Sequence, residues 1–309
     1  MNHSSVTAAA PGSLGNLGPG LDILGLALDG PVDEVEARWC PGGGVRVVDP
    51  GHPDLTTDPT RHSAAIAALA VQRMVAGEAA SGVELRVRKG LPLSAGQGGS
   101  AASAVAGAAA MNGLLGNPLS PEQLVLAALE AETRVAGRHA DNVAPSALGG
   151  LVLIRSLDPL DLIRLPVPPD LRIVLAHPDQ AMRTADGRAA LPTSIPLAIA
   201  LHQAAQVAAI VAACMGDNLE LLGRSIDDRI AEPARSPLLP GFAEAKAAAL
   251  AAGALGCSIS GSGPTAFALV AGDDAGAVVA QAMLAAYRKA GLTAAVRVAT
   301  TNQEGVRLL

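Results

Sequence analysis

The sequence predicts an α+β fold in two units, and three observations carry that prediction. The chain has 309 residues, half of them hydrophobic, which is length enough for about two domains with real cores. Residues 157–170 include Pro159, Pro166, Pro168 and Pro169, and proline at that density neither continues a helix nor donates to a central sheet. After this segment the apolar pattern reads strand, helices, strand, strand, helix, strand. That is the β-α-β-β-α-β order of a ferredoxin-like unit, an antiparallel sheet covered on one face by helices. The division is placed in the proline-rich segment, giving units 1–160 and 161–309.

In the first unit, alternation of apolar and polar residues marks strands at 45–48, 83–89 and 151–155; Val83, Leu85 and Val87 share one face. Helical periodicity covers roughly 60–77, 100–115 and 121–137. In the second unit, a strand at 171–176 precedes helices over 195–215, 218–230 and 241–252. Strands at 257–260 and 265–270, a helix at 274–290 and a strand at 294–299 complete it. The aromatic residues are only Trp39, Phe242, Phe267 and Tyr287, so the core must be aliphatic, with alanine faces that let helices approach closely.

Charge and composition exclude several classes of function. The 22 basic and 28 acidic side chains leave a net charge of -6, and four rings are too few for a nucleic-acid surface of stacked bases on a basic groove. A mean hydropathy of +0.36 raises the question of a membrane span, for which 195–215 is the strongest stretch. His202, Gln203 and Gln206 in its middle suit an alanine-rich helix packed inside a globular protein better than one in lipid. No basic segment leads into an apolar one at the N-terminus, so no membrane partner is expected. Cys40, Cys214 and Cys257 are odd in number, far apart and without a C-x-x-C pair. Reduced thiols and a cytoplasmic location follow as expectations.

Three glycine-rich turns carry the chemistry. Residues 90–103, GLPLSAGQGGSAAS, follow a strand and open a helix; Gly96, Gly98 and Gly99 allow a tight turn that presents backbone N–H groups at the positive end of that helix. Such a turn is built to hold an anion, although a connector without a ligand would look the same. It lacks the Gly-Lys-Ser/Thr ending of a P-loop and the distant acid of a dinucleotide site. Residues 11–22, PGSLGNLGPGLD, space the Asn16 amide and the Asp22 carboxylate by Gly18-Pro19-Gly20, which could present both to a small polar ligand. Residues 258–265, SISGSGPT, lie between two strands and, as a hairpin loop, require no function.

Taken together and in this order, the three turns resemble the GHMP small-molecule kinases over nearly the whole chain. Residues 11–22 are similar to the P-x-S-x-A-N-L-G-P-G-F-D form of the homoserine kinase branch, and 139–150, HADNVAPSALGG, to its H-x-D-N-V-A-P segment. Residues 184–192 resemble T-x-x-A-R-x-x-L-P; Glu232-Pro-Ala-Arg235, Pro240-Gly-Phe and the turn at 253–265 add further matches. The resemblance implies a two-domain GHMP kinase fold, with an N-terminal domain like the second domain of ribosomal protein S5 joined to the ferredoxin-like unit and the site between them. It implies ATP-dependent phosphorylation of the L-homoserine hydroxyl on the route to threonine, with Mg2+ as cofactor; a homodimer is common among similar proteins.

By the same resemblance, ATP would lie against Pro92, Leu93, Ser94, Ala95, Gly96, Gln97, Gly98, Gly99, Ser100, Ala101 and Ala102, with the N–H groups from Gly96 to Ala101 on its phosphates. Ser100 and Glu132 would ligate Mg2+, with Glu130 as the rival acid two residues away. Homoserine carries an ammonium, a carboxylate and a hydroxyl. Asp22 and Asp141 would meet the first, Arg188 and Arg235 would grip the second two-pronged, and Asn16 and Asn142 would orient the ligand and its hydroxyl. Thr184 would stand near the transferring group, and no strong general base is evident. Ser94, Ala95, Gln97 and Gly99 depart from the family turn, Leu21 and Gly15 replace its Phe and Ala in a way expected to loosen the substrate loop, and His62 falls near the adenine. A hydrolase using Ser100, Asp141 and His177, another GHMP substrate, and a binding protein without transfer activity are the competing readings.

Overall fold

The structure, a computed structural model, describes residues 4–76, 81–135 and 137–309. The first unit runs β1 (Ser5–Gly15), β2 (Leu24–Gly43), β3 (Val45–Asp49), α1 (Ser63–Ala76), β4 (Ser81–Arg88), α2 (Gly99–Leu114), α3 (Pro121–Val135), α4 (Val143–Leu148), β5 (Leu151–Leu157) and β6 (Leu160–Leu165). β1 and β2 form a long antiparallel ladder from Ser5↔Arg38 to Gly15↔Gly25. Its register shifts between Pro11 and Ser13, where proline has no N–H to give a ladder. Both strands escape a search for alternation, because β1 is buried on both faces from Ala8 onward and β2 carries glycine and proline along its length. α2 is the central helix, buried from Ala101 to Leu114. A Cβ on its Gly107 would lie 2.4 Å from the Ala64 carbonyl oxygen, so glycine permits the close approach of α1.

The second unit follows with β7 (Leu171–Pro178), α5 (Thr184–Ala189), α6 (Leu197–Met215), α7 (Leu219–Arg224), α8 (Ala231–Arg235), α9 (Phe242–Ala251), β8 (Gly256–Ile259), β9 (Ala266–Ala271), α10 (Gly272–Lys289) and β10 (Ala294–Ala299), after which β11 (Arg307–Leu308) rejoins the first sheet. Its sheet has the order β10-β7-β9-β8, all antiparallel, the arrangement of a ferredoxin-like fold. One face of that sheet packs on α9 and α10 through Phe242, Met283 and Tyr287. The other contributes Ile173, Leu175, Phe267 and Leu269 to an apolar layer that also takes in Leu14, Leu24, Leu26 and Leu151 of the first unit. The two units therefore share a core.

Several expectations change. The proline-rich segment holds a strand, β6, because the prolines flank it and it pairs only with β5, at an edge. The expected division at 160/161 falls in the β5–β6 hairpin; the chain crosses between sheets from Leu165 to Leu171 and returns to the first through β11, which pairs with β1. The helix expected over 218–230 stops at Arg224, and Asp228 starts α8 by accepting from the N–H groups of Ile230, Ala231 and Glu232 at 2.8–3.1 Å. α6 is not packed inside. Only Gln203, Ile210, Ala213 and Cys214 of it are buried, and Gln203 bonds to the Pro19 carbonyl, Asp228 and the Arg229 N–H.

Candidate active site

The three glycine turns meet at the junction of the units. Ser13 N donates to the Gln97 carbonyl at 3.1 Å and Gly261 N to that of Gly15 at 3.2 Å. Thr265 and Ser260 donate their hydroxyls to the carbonyls of Ala95 and Gly96, at 2.6 and 2.5 Å. A Cβ on Gly98, at φ +69°, would lie 2.2 Å from Ser13 Oγ, and one on Gly96, at φ +72°, 2.6 Å from the Ser260 carbonyl oxygen. Glycine is thus required here by the packing of turn on turn. Gly98 caps α2 without a side-chain acceptor, so the first N–H groups of the helix have no cap partner and remain free for a ligand. They open onto a cleft of about 1110 Å³. A smaller cavity of about 540 Å³ between α2, α3 and β11 contains none of the expected site residues.

Of the eleven residues expected at the nucleotide, Pro92 to Gly96 and Gly98 to Ala101 line this cleft, while Gln97 and Ala102 do not. Ala102 is fully buried in the first core. Gln97 reaches into the second unit, where it donates to Thr265 Oγ1 at 3.3 Å and accepts from Arg297 at 3.4 Å. Sequence reasoning overlooked what braces the turn from below. The buried Lys89 ammonium pairs with the Asp33 carboxylate and donates to the Gly99 carbonyl at 3.0 Å and to Ser103 Oγ at 3.1 Å. Asp33 also accepts from the N–H groups of Gly90 and Leu91. Neither residue carries a local signal of a partner 56 positions away.

Ser100 and Glu132 are oxygen donors in the cleft that could hold a cation. Ser100 Oγ and Glu132 Oε2 are buried oxygens with no hydrogen-bond partner, an uncommon condition that a hard, oxygen-seeking ion would relieve. Burial pushes the Glu132 carboxyl up to about 7; His139 opposes the rise, Asp141 adds to it, and the Ser100 hydroxyl, near the carboxyl but without a well-formed hydrogen bond, also opposes it. Its rival Glu130 sits outward, paired with Arg73 and Arg134 at 2.6 and 2.7 Å. His139, which opens the H-x-D-N segment, stands between Glu132 and Asp141. Its Nδ1 is 3.1 Å from Asp141 Oδ1 and its Nε2 4.0 Å from Glu132 Oε1. Burial, the largest single influence, depresses its pKa, but the hydrogen bond to Asp141 and the charges of Asp141, Glu132 and Asp22 together outweigh it, and the net shift is upward. The two-residue spacing to Asp141 was the available signal.

The remaining expected residues line the other end of the same cleft. Asp141 Oδ2 accepts from Asn16 N at 3.1 Å, and a Cβ on Gly15 would stand 2.6 Å from that oxygen. Gly15 therefore lets the substrate loop close on Asp141, the reverse of the loosening expected. Asn16 Oδ1 accepts from Asp22 N and its Nδ2 donates to the Gly261 carbonyl, both at 3.1 Å, so this amide positions the loop. Asn142 Oδ1 accepts from Ser13 Oγ at 3.0 Å. Arg235, on α8, is buried and donates from Nε to the Gly187 carbonyl and from Nη1 to that of Gly261, at 3.0 and 2.7 Å. Thr184 opens α5, and Arg188 on that helix holds both Asp22 oxygens, at 2.6 and 2.8 Å. Burial would raise the Asp22 pKa, but the Arg188 pair more than offsets it and keeps the carboxyl low. Ligand atoms of Asp22, His139 and Asp141 lie within 4.8 Å of one another, an acidic corner around one histidine.

No hydrolase triad assembles. His177 lies on β7 with Nδ1 3.2 Å from Thr265 Oγ1, and Asp141 is bonded to His139 instead. His62 lines the cleft with a buried Nδ1 that has no partner.

The fold and cleft are those of a small-molecule phosphotransferase. A family profile described as the GHMP kinases N terminal domain matches residues 62–150, and one described as GHMP kinases C terminal matches 206–289. A homoserine kinase of Arabidopsis thaliana is 45% identical over 99% of this chain and 85% of its own length. The crystal structure of homoserine kinase from Cytophaga hutchinsonii superposes with a TM-score of 0.94 at 41% identity, covering 100% of this chain and 98% of that one. A Lactococcus lactis galactokinase complexed with galactose covers 100% and 96% with a TM-score of 0.75 at 17% identity, and shares the fold alone. The chain belongs to the GHMP kinase family, and within it to the homoserine kinases.

Proposed function

We infer that the protein transfers the terminal phosphoryl group of ATP to the side-chain hydroxyl of L-homoserine, giving ADP and O-phospho-L-homoserine. The observation that carries this reading is one cleft in which Arg188, Arg235, Asp22 and Asp141 stand beside the glycine turn that opens α2. A zwitterion with a short hydroxyl arm suits the first group, and a polyphosphate suits the second. Arg188 and Arg235 take the carboxylate, and Asp22 with Asp141 takes the ammonium. The Asn142 amide orients the hydroxyl, and Thr184 lies beside the group in transfer. Asn16 acts through Asp22. Ser100 and Glu132 would hold Mg2+, which when bound neutralises charge on the phosphates in transfer. Both Asp141 oxygens already accept bonds, from Asn16 N and His139, so Asp141 is not a free general base. The hydroxyl proton leaves to phosphate or water, and alignment carries the rate.

A coupled assay for ADP release against homoserine, mevalonate and galactose tests this reading. Release with homoserine alone is expected. Release with either other alcohol and none with homoserine would assign a different GHMP substrate, and calorimetric binding of homoserine without ADP would make the protein a binding relative. The proposed setting is threonine biosynthesis in the cytoplasm, in keeping with three free cysteines. A homodimer is the assembly that α6 favours. This helix has no charged residue, and Leu197, Leu201 and Met215 stand 73%, 62% and 68% exposed along its outer face.

A further inference from the structure

Resting on the substrate reading above, we propose that the Asp22–Arg188 ion pair is a built-in competitor for the substrate's two charges, so that only a ligand carrying both can open it without leaving a charge unmatched. The pair is bidentate, at 2.6 and 2.8 Å, and both side chains are about one-third exposed, at 35% and 37%, so water screens the contact only in part. It joins positions 166 residues apart, one on the loop after β1 and one on α5, and so closes the ammonium end of the cleft on the carboxylate end. Asp22 is held toward Arg188 by its N–H bond to Asn16 Oδ1 and by a left-handed backbone, φ 63°.

Arg235 is the asymmetric element. It makes only carbonyl bonds and no carboxylate pair among the described residues, so it offers a cation before the pair opens. A substrate carboxylate lands on Arg235 and draws Arg188 from Asp22. The ammonium then replaces Arg188 on Asp22, and one internal pair becomes two intermolecular ones. An ammonium without a carboxylate reaches Asp141 but gains Asp22 only by stripping it from Arg188, which leaves that arginine unmatched. A carboxylate without an ammonium binds Arg235 but gains Arg188 only by stranding Asp22.

Titration calorimetry with L-homoserine and its one-charge analogues, 4-hydroxybutyrate and 3-amino-1-propanol, separates this from a simple two-sided pocket. The parent should bind homoserine best and 3-amino-1-propanol worst. Asp22→Asn, a residue that tolerates the left-handed backbone, frees Arg188; it should tighten 4-hydroxybutyrate by about tenfold while weakening homoserine. Arg188→Met keeps the packing stem and frees Asp22; it should tighten 3-amino-1-propanol by about tenfold while weakening homoserine. If each variant leaves its matching analogue unchanged, weaker or still undetectable, the pair is no competitor, because a pocket that merely contacts each charge predicts no gain. Parent enzyme that binds no homoserine at all would instead overturn the substrate reading. Melting curves of both variants confirm that the folded protein is being titrated.

Discussion

Glu132 shows how a single buried oxygen sets conditions for the whole enzyme. Its carboxyl titrates near 7 in the folded protein against 4.5 for an exposed glutamate, so the folded state binds the proton more tightly. Stability of the metal-free protein is fullest below the lower value, falls as pH rises between the two, and has lost roughly 3 kcal/mol above the upper one. Glu132→Gln removes that loss. In thermal melts without metal or nucleotide, the variant should exceed the parent at about pH 8, with the gap narrowing toward pH 5, and should lose any Mg2+-dependent rise in melting temperature. A gap independent of pH would refute the assignment. The glycine turn gives a second contrast. Gly98→Ala must hold φ +69° and meets Ser13 Oγ, and should cost roughly 2–4 kcal/mol. Gly99→Ser finds its nearest atom, Lys89 Nζ, at 3.4 Å, and should change stability by less than about 0.5 kcal/mol in denaturant titration. The departure of the sequence from the family turn therefore costs no packing at position 99 and is structural at position 97, where Gln97 grips Thr265 and Arg297.

At the scale of elements, the sequence was legible where one element faces one environment. α1, α3 and α10 are amphipathic or flanked by clear stops, and the strands of the second sheet are short apolar runs between turns. β1, β2 and β6 were not legible: a strand buried on both faces, one 20 residues long and one hemmed by prolines each break the pattern that alternation relies on. α6 was legible as a helix and misread as to place, because composition reports apolarity and says nothing of which neighbour covers it. Its outer face supplies a direct test of the assembly. Leu201→Glu puts a charge in the middle of that face, exposed in the single chain, and should shift the protein from dimer to monomer in sedimentation velocity with little change in melting temperature. A parent that sediments as a monomer would remove α6 as an interface.

Across the molecule, two features fasten the units besides the hydrogen bonds between the glycine turns. The shared apolar layer of Leu14, Leu26, Ile173 and Phe267 is one fastening. The second is the segment after β10, which runs back over the first sheet: Asn302 Nδ2 donates to Asp29 Oδ1 at 3.0 Å, its Oδ1 accepts from the N–H groups of Glu304 and Gly305, and its carbonyl accepts from Gly150 N at 2.7 Å. Asn302→Ala strips the side-chain bonds from a buried position and should cost about 1–3 kcal/mol in a single transition followed by both fluorescence and circular dichroism. Two separated transitions would mean that the strap, and not the shared layer, couples the units.

By itself the sequence determined the kinds of group the cleft would hold and most of the order of elements, because glycine turns, an H-x-D-N segment and helical periodicity are properties of neighbouring residues. Only the tertiary structure decided the partners: Arg188 on Asp22 across 166 positions, Lys89 on Asp33 across 56, and His139 between Glu132 and Asp141. Charges and hydrogen bonds act over a few ångströms of space whatever the distance along the chain, so those choices existed only once the two sheets had closed on each other.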